Sequence, residues 1–172
     1  LRAQEPFGTI LTEAYTLELF DTTPLHDIGK VGIPDSILLK PGKLTPEEFE
    51  IMKKHTTYGV NALRCMGKES DSLSFIRTAA EIAGTHHEKY DGSGYPLELK
   101  GKDIPLSGRL MAIIDVYDAL VNKRVYKPAY THEEAMQIIG ADRGKHFDPD
   151  ITDSFFKIQA EIRTIVQSFA QQ

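Results

Sequence analysis

The sequence predicts an all-α domain, a bundle of helices. Apolar residues recur at helical spacing along most of the chain, helix-start and helix-stop residues bracket those stretches, and no run alternates as a half-buried strand would. A length of 172 residues suits one domain, and 41% hydrophobic residues can fill a sizeable core. With 26% charged residues the composition is neither disordered nor fibrous.

Taken in order, residues 1–20 read as a linker or the incomplete start of a domain, because Leu1 is no initiator methionine and Pro6 and Gly8 interrupt any regular element. They are expected to continue a longer polypeptide, with the domain proper over 21–172. Within the start, Thr9 to Asp21 already sets Ile10, Leu11, Ala14 and Leu17 at helical spacing. The stretch from Thr23 to Ile33 is polar and carries His26-Asp27, and Pro34 and Pro41-Gly42 mark a loop. Thr45-Pro46-Glu47-Glu48 is a strong helix start: Thr45 caps, Pro46 suits the first helical position and Glu48 completes a capping box. That helix should reach about Met66 and carry His55. Another fits Ser72 to His87, with Phe75, Ile76, Ala79, Ala80 and Ala83 on its apolar side. Glu88 to Pro105 is a long glycine- and proline-containing loop, a length that often carries function. Ser107 to Asn122 is the most apolar helix and contains Asp115. Thr131 caps a helix to Ile139, and Asp148-Pro149-Asp150 opens a last one reaching about Ala170.

The net charge of -5 excludes a protein that coats nucleic-acid polymers, which needs a basic surface, but leaves a small anionic substrate open. The single Cys65 forms no internal disulfide, as suits a reducing compartment. No apolar stretch approaches the roughly 18 residues of a membrane span. No signal peptide is visible, and a cytoplasmic protein is expected.

Chemistry concentrates in His26-Asp27, His55, His86-His87 and Asp115, nitrogen and oxygen ligands on or at the ends of expected helices. Facing helices of a bundle can converge such side chains on metal ions. Each cluster alone has a plainer reading. His26-Asp27 is a common dipeptide, His55 beside Lys53 and Lys54 suits a surface histidine, and His86-His87 suits a helix C-terminus. Asp115, inside an apolar helix, requires a positive partner, which metal ions or a salt bridge to Arg109 or Arg124 would supply. Lys30, Arg124 and Lys127 alone would pass as solvated cations, and Gly94-Tyr95-Pro96 as a structural turn. His132 and His146 read as structural. Histidine and carboxylate ligands without thiolates suit Fe, Mn, Ni, Co or Zn. Two such ions about 3.5–4 Å apart can clamp a phosphodiester for in-line displacement.

The order His26-Asp27-Ile28-Gly29-Lys30, His55, His86-His87, Asp91-Gly92-Ser93-Gly94-Tyr95-Pro96 and Asp115 resembles the HD-GYP family of bacterial HD phosphohydrolases. Gly32-Ile33-Pro34-Asp35, Leu38 to Thr45 and His146-Phe147-Asp148-Pro149 extend the likeness, which covers roughly Asp21 to Phe156. The resemblance implies an all-helical HD phosphohydrolase bundle with a two- or three-metal centre, Fe, Mn or Ni before Zn or Co. It implies hydrolysis of cyclic di-GMP to linear pGpG or GMP by metal-bound hydroxide. It makes Asp27 the carboxylate shared between metals, His26 and Asp115 ligands of one, and His55, His86 and His87 ligands of the other. Lys30, on the same helical face as His26, would contact the scissile phosphate or the attacking water. Arg124 and Lys127 would grip phosphates, Tyr95 would border the substrate, and Asp118 would orient a ligand or Lys30. Expected partners are cyclic di-GMP, a receiver or sensor domain in cis and a diguanylate cyclase.

One departure stands out: family members usually carry a further histidine ligand upstream, with a glutamate near it in three-metal members, and no histidine precedes His26. That departure keeps open a catalytically weak module that binds cyclic di-GMP or another protein. A hydrolase of another cyclic dinucleotide is the other alternative.

Overall fold

The computed structural model describes residues 1, 7–66, 73–122 and 129–169, and among them the chain is helical, with one isolated bridge between Arg143 and Phe147 as its sole β pairing. Two helices, α1 (Phe7–Ile10) and α2 (Glu13–Thr22), replace the single one expected from Thr9 to Asp21. The break follows from Thr12, whose side chain accepts from the Tyr15 N–H and starts α2 afresh. Next come two 3₁₀ turns, Thr23–Leu25 and Ile28–Gly32, then α3 (Asp35–Leu38).

Helix α4 (Pro46–Met66) begins where expected. Thr45 and Glu48 form the reciprocal cap, with Glu48 N to Thr45 Oγ1 at 3.3 Å and Thr45 N to Glu48 Oε2 at 2.7 Å. Helix α5 (Leu73–Thr85) leads into the Glu88 to Pro105 loop, which holds one 3₁₀ turn, Gly101–Asp103. The rest is α6 (Leu106–Val121), α7 (His132–Ala141), α8 (Pro149–Lys157) and α9 (Gln159–Phe169). The expected last helix is thus two. The chain turns at Ile158, so that Ile151 and Phe155 of α8 and Ile162 and Val166 of α9 all reach one core.

That core lies between α6, α7 and α8, around Ile113, Tyr117, Ala135, Ile139, Phe147 and Ile151. A second cluster, Leu63 with Ala79, Ala80 and Ala83, joins α4 to α5. Small residues set the closest approaches. A Cβ on Gly29 would stand 1.9 Å from the His55 carbonyl oxygen, so the second 3₁₀ turn rests directly on α4 backbone. A Cβ on Gly108 would stand 2.1 Å from Thr85 Oγ1, which seats α6 against the end of α5. The two contacts draw four segments of the chain around one point.

Arg109 does not serve Asp115. Its guanidinium donates to the Ile104 carbonyl at 2.8 Å and to Asp148 Oδ2 at 2.6 Å, while Asp148 Oδ1 caps α8 by accepting from Asp150 N at 2.8 Å. No helix among the described residues is long and apolar enough to cross a membrane.

Candidate metal centre

His26 and Asp27 sit at the junction of the two 3₁₀ turns, not on an α-helix as expected. The tighter coil brings i and i+3 together, so Lys30 faces Asp27 rather than sharing a face with His26, and its ammonium donates to Asp27 Oδ2. His55 projects from the middle of α4, His86 and His87 follow the last turn of α5, and Asp115 lies in the second half of α6.

These side chains converge. His26 Nε2 lies 3.3 Å from Asp27 Oδ2 and 3.8 Å from Asp115 Oδ1. The other oxygen of Asp27, Oδ1, lies 3.4 Å from His55 Nε2 and 3.9 Å from His86 Nε2. Ligand atoms of His55, His86 and His87 all fall within 4.8 Å of one another. Asp27 therefore turns one oxygen to His26 and Lys30 and the other to His55 of α4 and His86 just beyond α5.

Backbone carbonyls orient three of the imidazoles. Nδ1 of His26 meets the Thr23 carbonyl at 2.8 Å, that of His55 the Met52 carbonyl at 2.7 Å, and that of His86 the Ile82 carbonyl at 3.0 Å. A carbonyl only accepts, so each Nδ1 carries the proton. Nε2 of the neutral His55 and His86 then presents a lone pair, whereas Nε2 of His26, whose basicity is raised, donates to Asp27 until a metal replaces its proton. Asp27 Oδ1, His55 Nε2 and His86 Nε2 are buried without a hydrogen-bond partner. Lone pairs thus face lone pairs, at a cost of about 1–3 kcal/mol for each unsatisfied group. A cation relieves all of it. Two ligands on one ion at about 2.0–2.2 Å stand roughly 3–3.5 Å apart, close to the 3.3 and 3.4 Å seen for His26 and His55 against Asp27. The residues present fit divalent transition metals.

Electrostatics agree. Burial lowers the basicity of His55, His86 and His87, taking His86 to about 4 and His87 to about 2, so all three stay neutral and able to ligate. Burial opposes ionisation of Asp27 too, but hydrogen bonds from His26 and Lys30 and their charges win, holding its carboxyl well below the usual carboxylate range. For His26 burial is likewise outweighed, here by Asp27, the Thr23 carbonyl and Asp115, and its basicity rises.

The centre has a floor and a mouth. The His55 and His86 side chains are 1% and 0% exposed, whereas Asp27 and Asp115 are each 27% and Lys30 is 41% exposed. Tyr95 borders that side, its ring stacked on His87 at 4.8 Å between centroids. Burial pushes its phenol up, and the Asp115 and Asp27 charges push it further. The loop is pinned by a residue that carries no mark in the sequence. Glu88, 1% exposed, accepts from Leu97 N at 2.7 Å and Leu99 N at 3.0 Å. Gly94 lies on the backbone of Glu88 and Lys89, where a Cβ would come within 2.3 Å of Lys89 N.

Asp118 is exposed and accepts from Asn122 Nδ2 at 2.8 Å, and among the described residues it touches neither a candidate ligand nor Lys30. Asp118 stands a helical turn beyond Asp115 at an exposed position of α6. Arg124 and Lys127 lie outside the described residues. His132, away from this cluster, bonds through Nδ1 with the Tyr117 hydroxyl at 2.8 Å. His146 stacks on Phe147 at 4.4 Å and its carbonyl accepts from Tyr90 N at 3.0 Å, tying down the loop.

Fold and site together define an all-helical domain built around a central cluster of histidines and carboxylates able to hold metal. The family description "HD domain" matches residues 11–151, and the chain belongs to that family. It is 52% identical over 169 residues to a cyclic di-GMP phosphodiesterase of Vibrio cholerae, covering 98% of this chain and 34% of that protein. A cyclic di-GMP phosphodiesterase of Thermotoga maritima is 47% identical, with 95% and 43% covered. A 3'3'-cGAMP-specific phosphodiesterase 2 of Vibrio cholerae is 46% identical, with 91% and 30% covered. The chain spans between about a third and somewhat under half of the length of these relatives, and their names are consistent with the HD-GYP resemblance.

Proposed function

We propose that this domain is a metal-dependent phosphodiesterase that opens cyclic di-GMP to linear pGpG and, after a second cut, GMP. One observation carries the reading: His55 Nε2 and His86 Nε2 lie 3.4 and 3.9 Å from Asp27 Oδ1, all three buried and partnerless, while the other oxygen of Asp27 meets the more exposed Lys30 ammonium. The names of the relatives supply the substrate class.

His26 and Asp115 would hold one ion, His55, His86 and His87 a second, and Asp27 both; the thiolate-free set suits Fe, Mn, Ni, Co or Zn, and the HD-GYP resemblance puts Fe, Mn or Ni first. Bound there, the metals acidify water and neutralise phosphate charge. The chain does the rest. Lys30, fixed by Asp27, stands on the open side where a phosphate oxygen or the attacking water arrives. Asp27 stays ionised through the whole working pH range. Hydrolysis adds one water across one phosphodiester, and the proton ends on the departing ribose oxygen. Arg124 and Lys127 are assigned to the substrate phosphates by charge-assisted bonds, Tyr95 walls the pocket, and a receiver or sensor domain in cis and a diguanylate cyclase are the proposed partners.

The test is turnover of cyclic di-GMP with Mn²⁺ or Fe²⁺. Asp27→Ala should cut turnover by more than the roughly 10–100-fold typical of losing an outer partner of a metal ligand, with helical circular dichroism unchanged. Turnover kept at the parent level removes Asp27 from the chemistry. The relative named for 3'3'-cGAMP motivates a second reading, the mixed dinucleotide as substrate, and a competition assay between the two ranks them.

A further inference from the structure

We infer that Phe49 and Lys53 of α4, with Tyr95 opposite, form a purine-base subsite at the mouth of the centre, Phe49 supplying a stacking face and Lys53 a donor to the base edge. The inference deepens the cyclic dinucleotide reading and rests on it.

Phe49 and Lys53 stand at i and i+4 on α4, one turn apart on the same face. Phe49 is 45% exposed and meets Tyr95 edge-to-face, centroids 6.0 Å apart at 85°. Tyr95 stacks in turn on His87 at 4.8 Å. A run of rings therefore leads from a candidate metal ligand out to solvent. Lys53 Nζ lies 5.7 Å from the Phe49 centroid and 5.6 Å from that of Tyr95. Its acidic partner is Glu50 at 2.6 Å, a side chain 66% exposed. Lys53 itself is 26% exposed, and because Glu50 stands in solvent the pair is weak enough for the ammonium to exchange Glu50 for a ligand acceptor.

A lone exposed phenylalanine needs no explanation. This one ends a ring series that starts at the phosphate-processing point, with a cation beside it, and in a nucleotide the base stands one ribose from the phosphate. Aromatic stacking accepts any base, whereas the cation discriminates: guanine presents N7 and O6 as adjacent acceptors, and adenine replaces O6 by an amino donor. The subsite is thus expected to prefer guanine.

The test compares cyclic di-GMP, cyclic di-AMP and the base-free diester bis(4-nitrophenyl) phosphate, with metal content measured alongside. Phe49→Ala should lower kcat/KM for cyclic di-GMP relative to the base-free diester by roughly ten- to a hundredfold, mainly through KM, and Phe49→Trp should restore it. Lys53→Met should lower the preference for cyclic di-GMP over cyclic di-AMP by roughly tenfold, and Lys53→Arg should keep it. If the parent cleaves cyclic di-GMP and the variants leave these ratios unchanged, or both diesters fall together, the subsite is overturned alone. If the parent cleaves the base-free diester but no cyclic dinucleotide, the functional reading fails and the subsite with it.

Discussion

Asp27 can face two groups of candidate ligands because Gly29 has no side chain. The turn carrying Asp27 lies flush on α4, and the nearest atoms to a Cβ at Gly29 would be backbone: the His55 carbonyl oxygen at 1.9 Å and Gly59 N at 2.4 Å. Neither can swing aside as a flexible side chain does. Gly29→Ala must lift the turn from the helix and separate Asp27 Oδ1 from His55 Nε2, now 3.4 Å apart. The expected outcome is a loss of about 1–3 kcal/mol in stability, typical of overpacking, together with reduced metal stoichiometry and turnover. Metal analysis of the purified variant against the parent checks it, and a fully loaded, fully active variant would show that the close approach has no bearing on the centre. The same residue illustrates a limit of sequence reading. His26, Asp27, His55, His86, His87 and Asp115 are legible as chemistry because charged and ligating types stand out in helical text. A glycine that matters through a contact with a segment distant in sequence carries no local mark.

Elements differ in how openly they are written. Helix α4 is readable from Thr45 onward because its cap is local, made from residues three apart. The split between α8 and α9 is not, since neither proline nor glycine stands at Ile158 and the turn serves a core shared with α6 and α7. Lys30 departs from its expected face for a related reason: the i, i+4 rule assumes an α-helix, and the segment is 3₁₀. The Glu88 to Pro105 loop is legible as functional, but not how it is held. Burial pushes the Glu88 carboxyl up, and hydrogen bonds from Leu97, Leu99 and Glu98 only partly offset it. Glu88→Ala would leave the Leu97 and Leu99 N–H groups without their acceptor. The cost should be about 1–3 kcal/mol, with faster hydrogen exchange at Leu97 and Leu99 but not in α4. Because Tyr95 rides on that loop, KM for the substrate should rise as well. Unchanged exchange at those amides would mean the loop is held by something other than Glu88.

At the scale of the whole molecule, the centre is where the fold stores unfavourable electrostatics, and metal and proton should therefore both act on global stability. His86 illustrates the sign. Its basicity falls from the ordinary 6.5 to about 4 in the folded chain, chiefly by burial, then by the neighbouring His26 charge. Between those values the unfolded chain binds a proton that the folded chain refuses, so stability of the metal-free protein is fully present above about pH 6.5 and declines as pH falls toward 4. At about 1.36 kcal/mol for each pH unit between the two values, this one group contributes on the order of 3 kcal/mol, and His87 acts in the same direction. Metal acts oppositely, because an ion held at a thousandfold excess over its Kd adds about 4 kcal/mol to the folded state, or roughly 10 °C in Tm for a domain of this size. Thermal melts with and without chelator, at pH 7.5 and at pH 5, should then give a Tm that drops on chelation at the higher pH and drops again on acidification. Protons and metal compete for the same nitrogen lone pairs, so the difference between loaded and stripped protein should also be smaller at pH 5. A Tm indifferent to chelator at pH 7.5 would mean that no ion occupies the histidine cluster, and with it would go the metal-dependent chemistry.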